Sequence, residues 1–471
     1  MRSRVTVIKN LFLLGVALLL AGCVKYRPRP LSAPAVEHQY RSRSIVDDGL
    51  AKSALAAGWN RWPPAVLDLN ALTLIAAYYN PDLDVSRTQV AIAQAGVQTA
   101  TARLNPSLTG DGGYNTNPDT HPLYGGALGF TIETAGKRGY RILQAERDAE
   151  AASLLFSEAQ WQLWSRVRTA LVDVALAQER LSLLERETNL RFEISQMLDK
   201  RLSVGAASQP EAGLYRVELL RSQAALEAIR GDALAKRVAL ATAVGVAPQS
   251  LNRAVAFPGL EQPPVDIDFP IHNVQRAGLL HRIDIRRAVV EYAAAEAALR
   301  LEIARQYPDL QLTPGYNFEE GFARYTFSSL IGSLPVFDRN QGPIRAAEAR
   351  RAQGEARLRA LQSQAIGEME RALALYRSAF QEWREESDRL DRIEREREQA
   401  AQRALDVGQG DRFSLTLIQL ERNTAALGRL DALVQVQASL GALENSVQQP
   451  LEAGMTIPLV PVVNPRREIT H

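Results

Sequence analysis

A single cysteine, Cys23, in 471 residues excludes a disulfide framework and any multi-cysteine metal site. The five histidines, His38, His121, His272, His281 and His471, never pair with one another or with Cys23 at the spacing that presents two metal ligands from one helix. No glycine-rich loop ends in Gly-Lys-Ser/Thr, so any energy from a nucleotide must come through a partner. Lys and Arg number 55 against 53 Asp and Glu, and a formal charge of +2 excludes the basic excess of a nucleic-acid binder. A charged fraction of 23% and a mean hydropathy of −0.17 exclude a polytopic helical membrane protein. No Ser, Cys or Lys stands in a nucleophile–base constellation, which leaves a hydrolase as the weakest functional class.

One long apolar run exists, and it lies at the N-terminus. Arg2, Arg4 and Lys9 precede Leu11 to Leu20, a run of signal-peptide length and short for a membrane span. It ends in Leu20-Ala21-Gly22-Cys23, which resembles a bacterial lipobox. Cleavage before Cys23 leaves its thiol to take a diacylglycerol and its amine to take a further acyl chain, and two or more chains anchor stably where one does not. The alternative is a periplasmic protein cut nearby with a spectator cysteine. Val24, a non-Asp residue after the cysteine, implies outer-membrane sorting by the same resemblance. Loss of Arg2, Arg4 and Lys9 leaves 52 basic and 53 acidic side chains, so the mature protein is almost neutral. Pro28, Pro30, Pro34, Pro63 and Pro64 mark residues 23–64 as an extended tether.

The body is an internal duplication. At a shift of 202 residues, Pro106, Leu108, Gly113, Tyr114 and Asn115 fall on Pro308, Leu310, Gly315, Tyr316 and Asn317. At a shift of 203, Leu202, Val204 and Gly205 fall on Leu405, Val407 and Gly408. The halves span 65–247 and 271–447, with a linker at 248–270 and a C-terminal tail at 448–471. Each reads as a helix, two short alternating segments, a very long helix, a Gly-containing turn and a return helix. The long helices are expected over Tyr140–Val204 and Ile344–Val407, with returns over Gln209–Val244 and Asp411–Val447. Sixty-odd residues of helix are about 100 Å long. Leu163, Val167, Leu171 and Val174 form one apolar stripe, and Ala365, Ala372, Tyr376 and Trp383 its counterpart. Arg384 to Glu398 is almost all charge and is expected to be solvated on at least one face.

The short segments alternate with period two. Leu310, Leu312, Pro314, Tyr316 and Phe318 share one face, as do Leu128, Phe130 and Ile132. Nine to eleven tilted residues cross an outer membrane, with aromatics near its interfaces. An ordinary hairpin on a helical domain would need other strands to cover that face, and the sequence supplies none. Four strands per chain cannot close a membrane barrel, and an open edge in lipid is prohibitively costly. Either the strands are not transmembrane, or several chains share one barrel.

Together these features resemble a TolC-type outer membrane factor over essentially all of the mature chain. The matching elements are the lipobox, the duplicated plan, the two Val-Gly turns and the strand-to-helix junctions at Ile132–Gly139 and Leu334–Gly342. The string Glu133-Thr134-Ala135-Gly136-Lys137-Arg138 looks most like the heavy-metal efflux branch of that family. The resemblance implies a mainly α fold with a small β part: four transmembrane strands per chain completed as a trimer, continued by long antiparallel helices as a periplasmic α-barrel. It implies a homotrimer in outer membrane lipid, a periplasmic adaptor and an inner-membrane proton-driven pump, with no nucleic acid, no cofactor beyond the lipid on Cys23, no metal held by the protein and no catalysis. The expected role is a passive duct exporting divalent cations such as cobalt, zinc, cadmium or nickel. The rival readings are a multidrug duct of the same family and a lipid-tethered periplasmic coiled-coil scaffold.

Val204, Gly205, Ser208, Asp406, Val407, Gly408 and Asp411 belong to the two reversals, which the resemblance puts at the periplasmic tip as gate and adaptor-docking surface. Glycine permits the backbone that ends each long helix, and Ser208 and Asp411 read as N-caps of the returns. Family members often carry carboxylates just beyond this turn. Glu211 occupies such a position in the first half, whereas Ser414 and Leu417 stand in the second. Glu211, Asp406 and Asp411 are the substitute candidates.

Overall fold

The structure, a computed structural model, describes residues 26–113, 123–251, 253–260, 276, 278–319, 321–331, 335–387 and 391–451. The described part of its N-terminal unit holds helix α1 (Ala33–Arg41), started by Ser32, whose hydroxyl accepts the Ala35 N–H, and by Pro34 in the first turn. The second unit begins at Ser44 and holds everything that follows. Its first helix, α2 (Asp48–Ala56), starts from the Asp47 carboxylate and buries Leu50 and Ala54. The expectation of an extended tether over 23–64 therefore does not hold at α1 and α2. A proline in the first turn costs a helix nothing, because its missing N–H would have no partner there.

Short strand β1 (Val66–Leu67) leads into α3 (Leu69–Tyr79), capped by Asp68 and buried along nearly its whole length. Asn80 ends α3 and caps α4 (Pro81–Thr101), its Oδ1 accepting the N–H groups of Asp82 and Leu83 at 2.8 and 3.1 Å. Strands β2 (Ser107–Gly113) and β3 (Leu123–Ile132) follow, then α5 (Lys137–Ser203) and its return α6 (Gln209–Val244). The 67 residues of α5 make about 100 Å of unbroken helix. After β4 (Ala254–Val255), which pairs in parallel with β1, the plan repeats. Helix α7 (Ile283–Ala304) precedes β5 (Leu310–Glu319) and β6 (Phe322–Ile331), and α8 (Gln341–Glu385), α9 (Asp391–Asp406) and α10 (Arg412–Val447) complete it.

The second long helix, expected over Ile344–Val407, is described as α8 and α9, and residues 388–390 between them lie outside the described residues. Helix α8 runs to Glu385, residues 386–387 take wider π-type coiling, and α9 begins at Asp391. Apolar stripes hold long helices in place, and α9 buries no residue at all. Its counterpart stretch in α5 keeps Leu183, Ile194 and Leu198 buried and runs straight through.

Helix α5 packs against α4, α6, α7 and α10, and α10 in turn holds α8 and α9. The principal core gathers Leu72, Ile75 and Ala76 of α3 against Trp161, Trp164, Val167 and Leu171 of α5, with the two indoles stacked 4.9 Å apart. The halves are also locked by a buried ion pair, Arg168 of α5 to Glu444 of α10 at 2.8 Å, with both side chains almost fully enclosed. Burying two charges is expensive, and here further bonds compensate: Gln437 accepts from Arg168, and Glu444 accepts the Leu451 N–H.

Candidate functional site

The two helix reversals are built on one template. After α5, Gly205 takes φ +73°, its N–H bonding the Leu202 carbonyl and the Ala206 N–H that of Arg201. After α9, Gly408 takes φ +75°, its N–H bonding Leu405 and the Gln409 N–H bonding Ala404. Only glycine adopts that left-handed conformation freely. Ser208 then caps α6 by accepting the Glu211 N–H at 3.3 Å, and Asp411 caps α10 by accepting the Ser414 N–H at 2.8 Å. Val204 and Val407 stand out at 77% and 69% exposure, one at each reversal. Asp406 accepts from Gln402, and the Glu211 side chain is exposed.

A bond that sequence spacing does not reveal joins the two reversals. Arg201, in the last turn of α5, donates Nη2 to Asp411 Oδ2 at 2.6 Å and lies over the Phe413 ring at 4.7 Å. Tyr215 of α6 meets the same ring edge-on, and Arg412 reaches Glu193 at 3.3 Å. The Ser414 hydroxyl and N–H, then Arg201, hold the Asp411 carboxyl down at about 2. The only signal for Arg201 in the sequence is a basic residue in a helix's last turn, where the dipole favours it.

The strands form one antiparallel sheet in the order β2-β3-β5-β6. Its register puts Leu108 opposite Leu128, Phe130 opposite Leu312, Ile132 opposite Leu310, and Tyr316 opposite Tyr325. Followed across all four strands, this face bears aliphatic, aromatic, glycine, alanine, proline and serine residues and no charge. The opposite face carries Thr109, Asp111, Thr131, Gln311, Asn317 and Arg324, with Leu123 and Phe322 at its loop rim. No described helix lays a side against the apolar face, and Leu128, Phe130, Tyr325 and Phe327 are exposed on it. Tyr124 stacks on Phe318 at 4.9 Å and Tyr316 meets Tyr325 edge-on at 5.4 Å. Tyr114 and the Leu334 end of the second junction lie outside the described residues, as does Cys23.

The first junction has a structural job for each of its polar residues. Thr134 gives its N–H to Asp309 Oδ1 at 3.0 Å and its hydroxyl to the Pro308 carbonyl at 2.7 Å. Lys137 donates Nζ to Asp309 and to the Tyr307 carbonyl at 2.7 and 2.5 Å. Burial pushes the Asp309 carboxyl up, but Lys137 and the Thr134 N–H outweigh it and hold it below the usual range. Arg138 and Arg141 take the carbonyls of Thr101 and Ala100 at the end of α4, with Arg141 also paired to Glu133. The second junction answers with Asn340, whose side chain donates to the Glu302 carbonyl at 2.8 Å.

Among the described residues no three His, Cys, Asp or Glu side chains cluster as metal ligands, and no helix is long and apolar enough to cross a membrane. His281 is exposed near the start of α7; His121, His272 and His471 lie outside the described residues.

Residues 75–246 match the model of the family described as outer membrane efflux protein. The chain is 26% identical over 295 residues to the cobalt-zinc-cadmium resistance protein CzcC of Cupriavidus metallidurans, covering 61% of this chain and 68% of that one. It is 24% identical to the pyoverdine export outer membrane protein OpmQ of Pseudomonas aeruginosa, over 94% of this chain and 98% of that one. Its fold superposes on the solved structure of CusC with a TM-score of 0.65 at 18% identity, covering 86% of this chain and 97% of that one. A duplicated helical body carrying a four-stranded antiparallel sheet is the fold this chain shares with CusC. Residues 75–246 thus match the outer membrane efflux protein family, and the fold of the chain is that of the solved CusC structure.

Proposed function

We propose that three copies of this chain form one passive duct that exports divalent metal cations of the cobalt, zinc, cadmium or nickel type. The observation that carries the reading is the sheet: one face free of charge and covered by no described helix, with both edge strands open. Backbone N–H and C=O groups at an open edge cannot be left bare in lipid, so membrane sheets close into barrels. Four strands from each of three copies make twelve. The helical layer supports assembly from several copies, since α6 and α9 end it on either side and Leu214, Val217, Leu234 and Val238 are exposed along α6.

In this reading Cys23 carries the lipid and the helices reach into the periplasm. The reversals at Gly205 and Gly408 form the tip, where Val204, Val407, Glu211 and Asp406 are offered to a periplasmic adaptor. An inner-membrane proton-driven pump supplies the energy. The similarity to CzcC supports a metal cargo, and a duct needs no tight metal site, because strong binding would slow release. The similarity to OpmQ supports a second reading, a duct for a small organic molecule.

The test joins assembly to cargo. The purified protein should be a detergent-requiring trimer that conducts ions in planar bilayers, and deleting its gene should sensitise cells to divalent cations more than to dyes or detergents. A stable monomer soluble without detergent would overturn the duct. Sensitivity to dyes alone would replace metal by the organic cargo. Leu128→Arg, at the centre of β3 on the apolar face, should hinder assembly by about 2–4 kcal/mol per chain if it meets mid-bilayer lipid.

A further inference from the structure

Edge strand β2 carries glycine at Gly110 and Gly112, both on the apolar face. Glycine weakens a strand relative to alanine, so two at alternate positions call for a cause. Neither takes a left-handed φ, and a Cβ added at either would meet nothing nearer than a backbone oxygen at 3.9 Å. By contrast, a Cβ at Gly126, one strand inward, would press on the Thr109 carbonyl at 3.3 Å. Nothing among the described residues requires glycine at the edge. The other edge, β6, shows the opposite character: Phe327 and Tyr325 on the same face are 71% and 84% exposed.

We infer that Gly110 and Gly112 form a slot on β2 that receives the Phe327 ring from β6 of a second copy of this chain. The inference rests on the trimeric-barrel reading and specifies its seam. Direction fits, because successive strands in the order β2-β3-β5-β6 are antiparallel, so β6 meets a neighbouring β2 antiparallel too. Register also fits. Within the chain the row through Gly110 runs by Gly126 and Tyr316 to Tyr325, and the row through Gly112 runs by Tyr124 and Phe318 to Ala323. Four strands about 4.8 Å apart, tilted by about 35–45°, displace such a row by about four to six residues before it meets the next copy. Displacement towards the loop end of β6 would carry both glycines past Phe322 and off the strand. Displacement the other way by about four residues brings Gly112 opposite Phe327, Gly110 opposite Ser329 and Leu108 opposite Ile331. An aromatic side chain laid over a cross-strand glycine restores the packing that the glycine forfeits.

Cysteine pairs test the seam in the full-length protein. Gly112→Cys with Phe327→Cys, oxidised in membranes, should yield covalently linked trimers on a denaturing gel, and neither single variant should. Phe327→Ala should lower the temperature at which the trimer dissociates, while Phe327→Tyr should restore it. Native trimers that give no cross-link from Gly110→Cys or Gly112→Cys to residues 325–331, or whose dissociation ignores Phe327→Ala, would overturn this seam and leave the trimer standing. Absence of any trimer from the wild type would instead sink the barrel reading itself.

Discussion

The Asp411 carboxylate accepts the Ser414 N–H through one oxygen and Arg201 through the other, so the cap of α10 and the link between the reversals share one side chain. Its folded pKa of about 2 lies below the ordinary 3.8. A depressed carboxylate stabilises the fold above its unfolded value and loses that contribution as pH falls through its folded one. The melting temperature of the wild type should exceed that of Asp411→Ala by a margin that is constant above about pH 4 and shrinks towards pH 2. A margin independent of pH across this window would refute the coupling. Removing the cap by Asp411→Ala should cost about 1 kcal/mol of helix stability, read as faster hydrogen exchange at residues 412–415. Arg201→Gln should cost less, because the pair is half exposed and such pairs contribute about 0–1 kcal/mol. The enclosed pair Arg168–Glu444 behaves otherwise: Glu444→Ala leaves a buried cation without its counter-charge and should destabilise the fold by about 3–5 kcal/mol. Local spacing discloses the caps Ser208 and Asp411 in the sequence. It cannot disclose Arg201 or Arg168, whose partners arrive from the other half of the chain.

At the scale of elements, period and punctuation carry most of the architecture. The alternation at Leu310–Phe318 is strand β5, and the Val-Gly strings are the ends of α5 and α9. The π-type coiling at Glu386 and Ser387 is harder to read, because charged residues favour helix locally and their spacing does not mark it. The helix at Ala33 is obscured by Pro34, which a first turn tolerates. The junction string beginning at Glu133 was legible as a family signature and silent about its work, since its partners are carbonyls at the ends of α4 and α7. Lys137 is nearly buried there. Lys137→Met should leave the Tyr307 carbonyl and Asp309 without their cation and cost about 1–3 kcal/mol, measured as a lowered melting point of the helical signal. Arg at the same position should recover part of it. An unchanged melting point for Lys137→Met would mean that the joint between sheet and helices is held elsewhere.

For the whole molecule, near-neutrality of the mature chain and the polar face of the sheet bear on how freely ions pass. On the proposed barrel the polar face lines the lumen, and each chain's strands bring Asp111 and Glu319 against Arg324, a small negative excess. All three residues are exposed, so water screens them, with a Debye length of about 10 Å at 0.1 M salt and about 3 Å at 1 M. The trimer should prefer cations weakly at 0.1 M and lose that preference at 1 M. Asp111→Asn combined with Glu319→Gln should tilt it towards anions at low salt. Reversal potentials across planar bilayers under a salt gradient measure both. Such a lumen is a wet passage that leaves the choice of cargo to the pump. Replacing the pump should accordingly change which toxic compounds the cell exports far more than either lumen substitution does. A strong cation preference that survived 1 M salt and both substitutions would place selectivity in a narrower constriction, for which the carboxylates beside Gly205 and Gly408 would be the next residues to change.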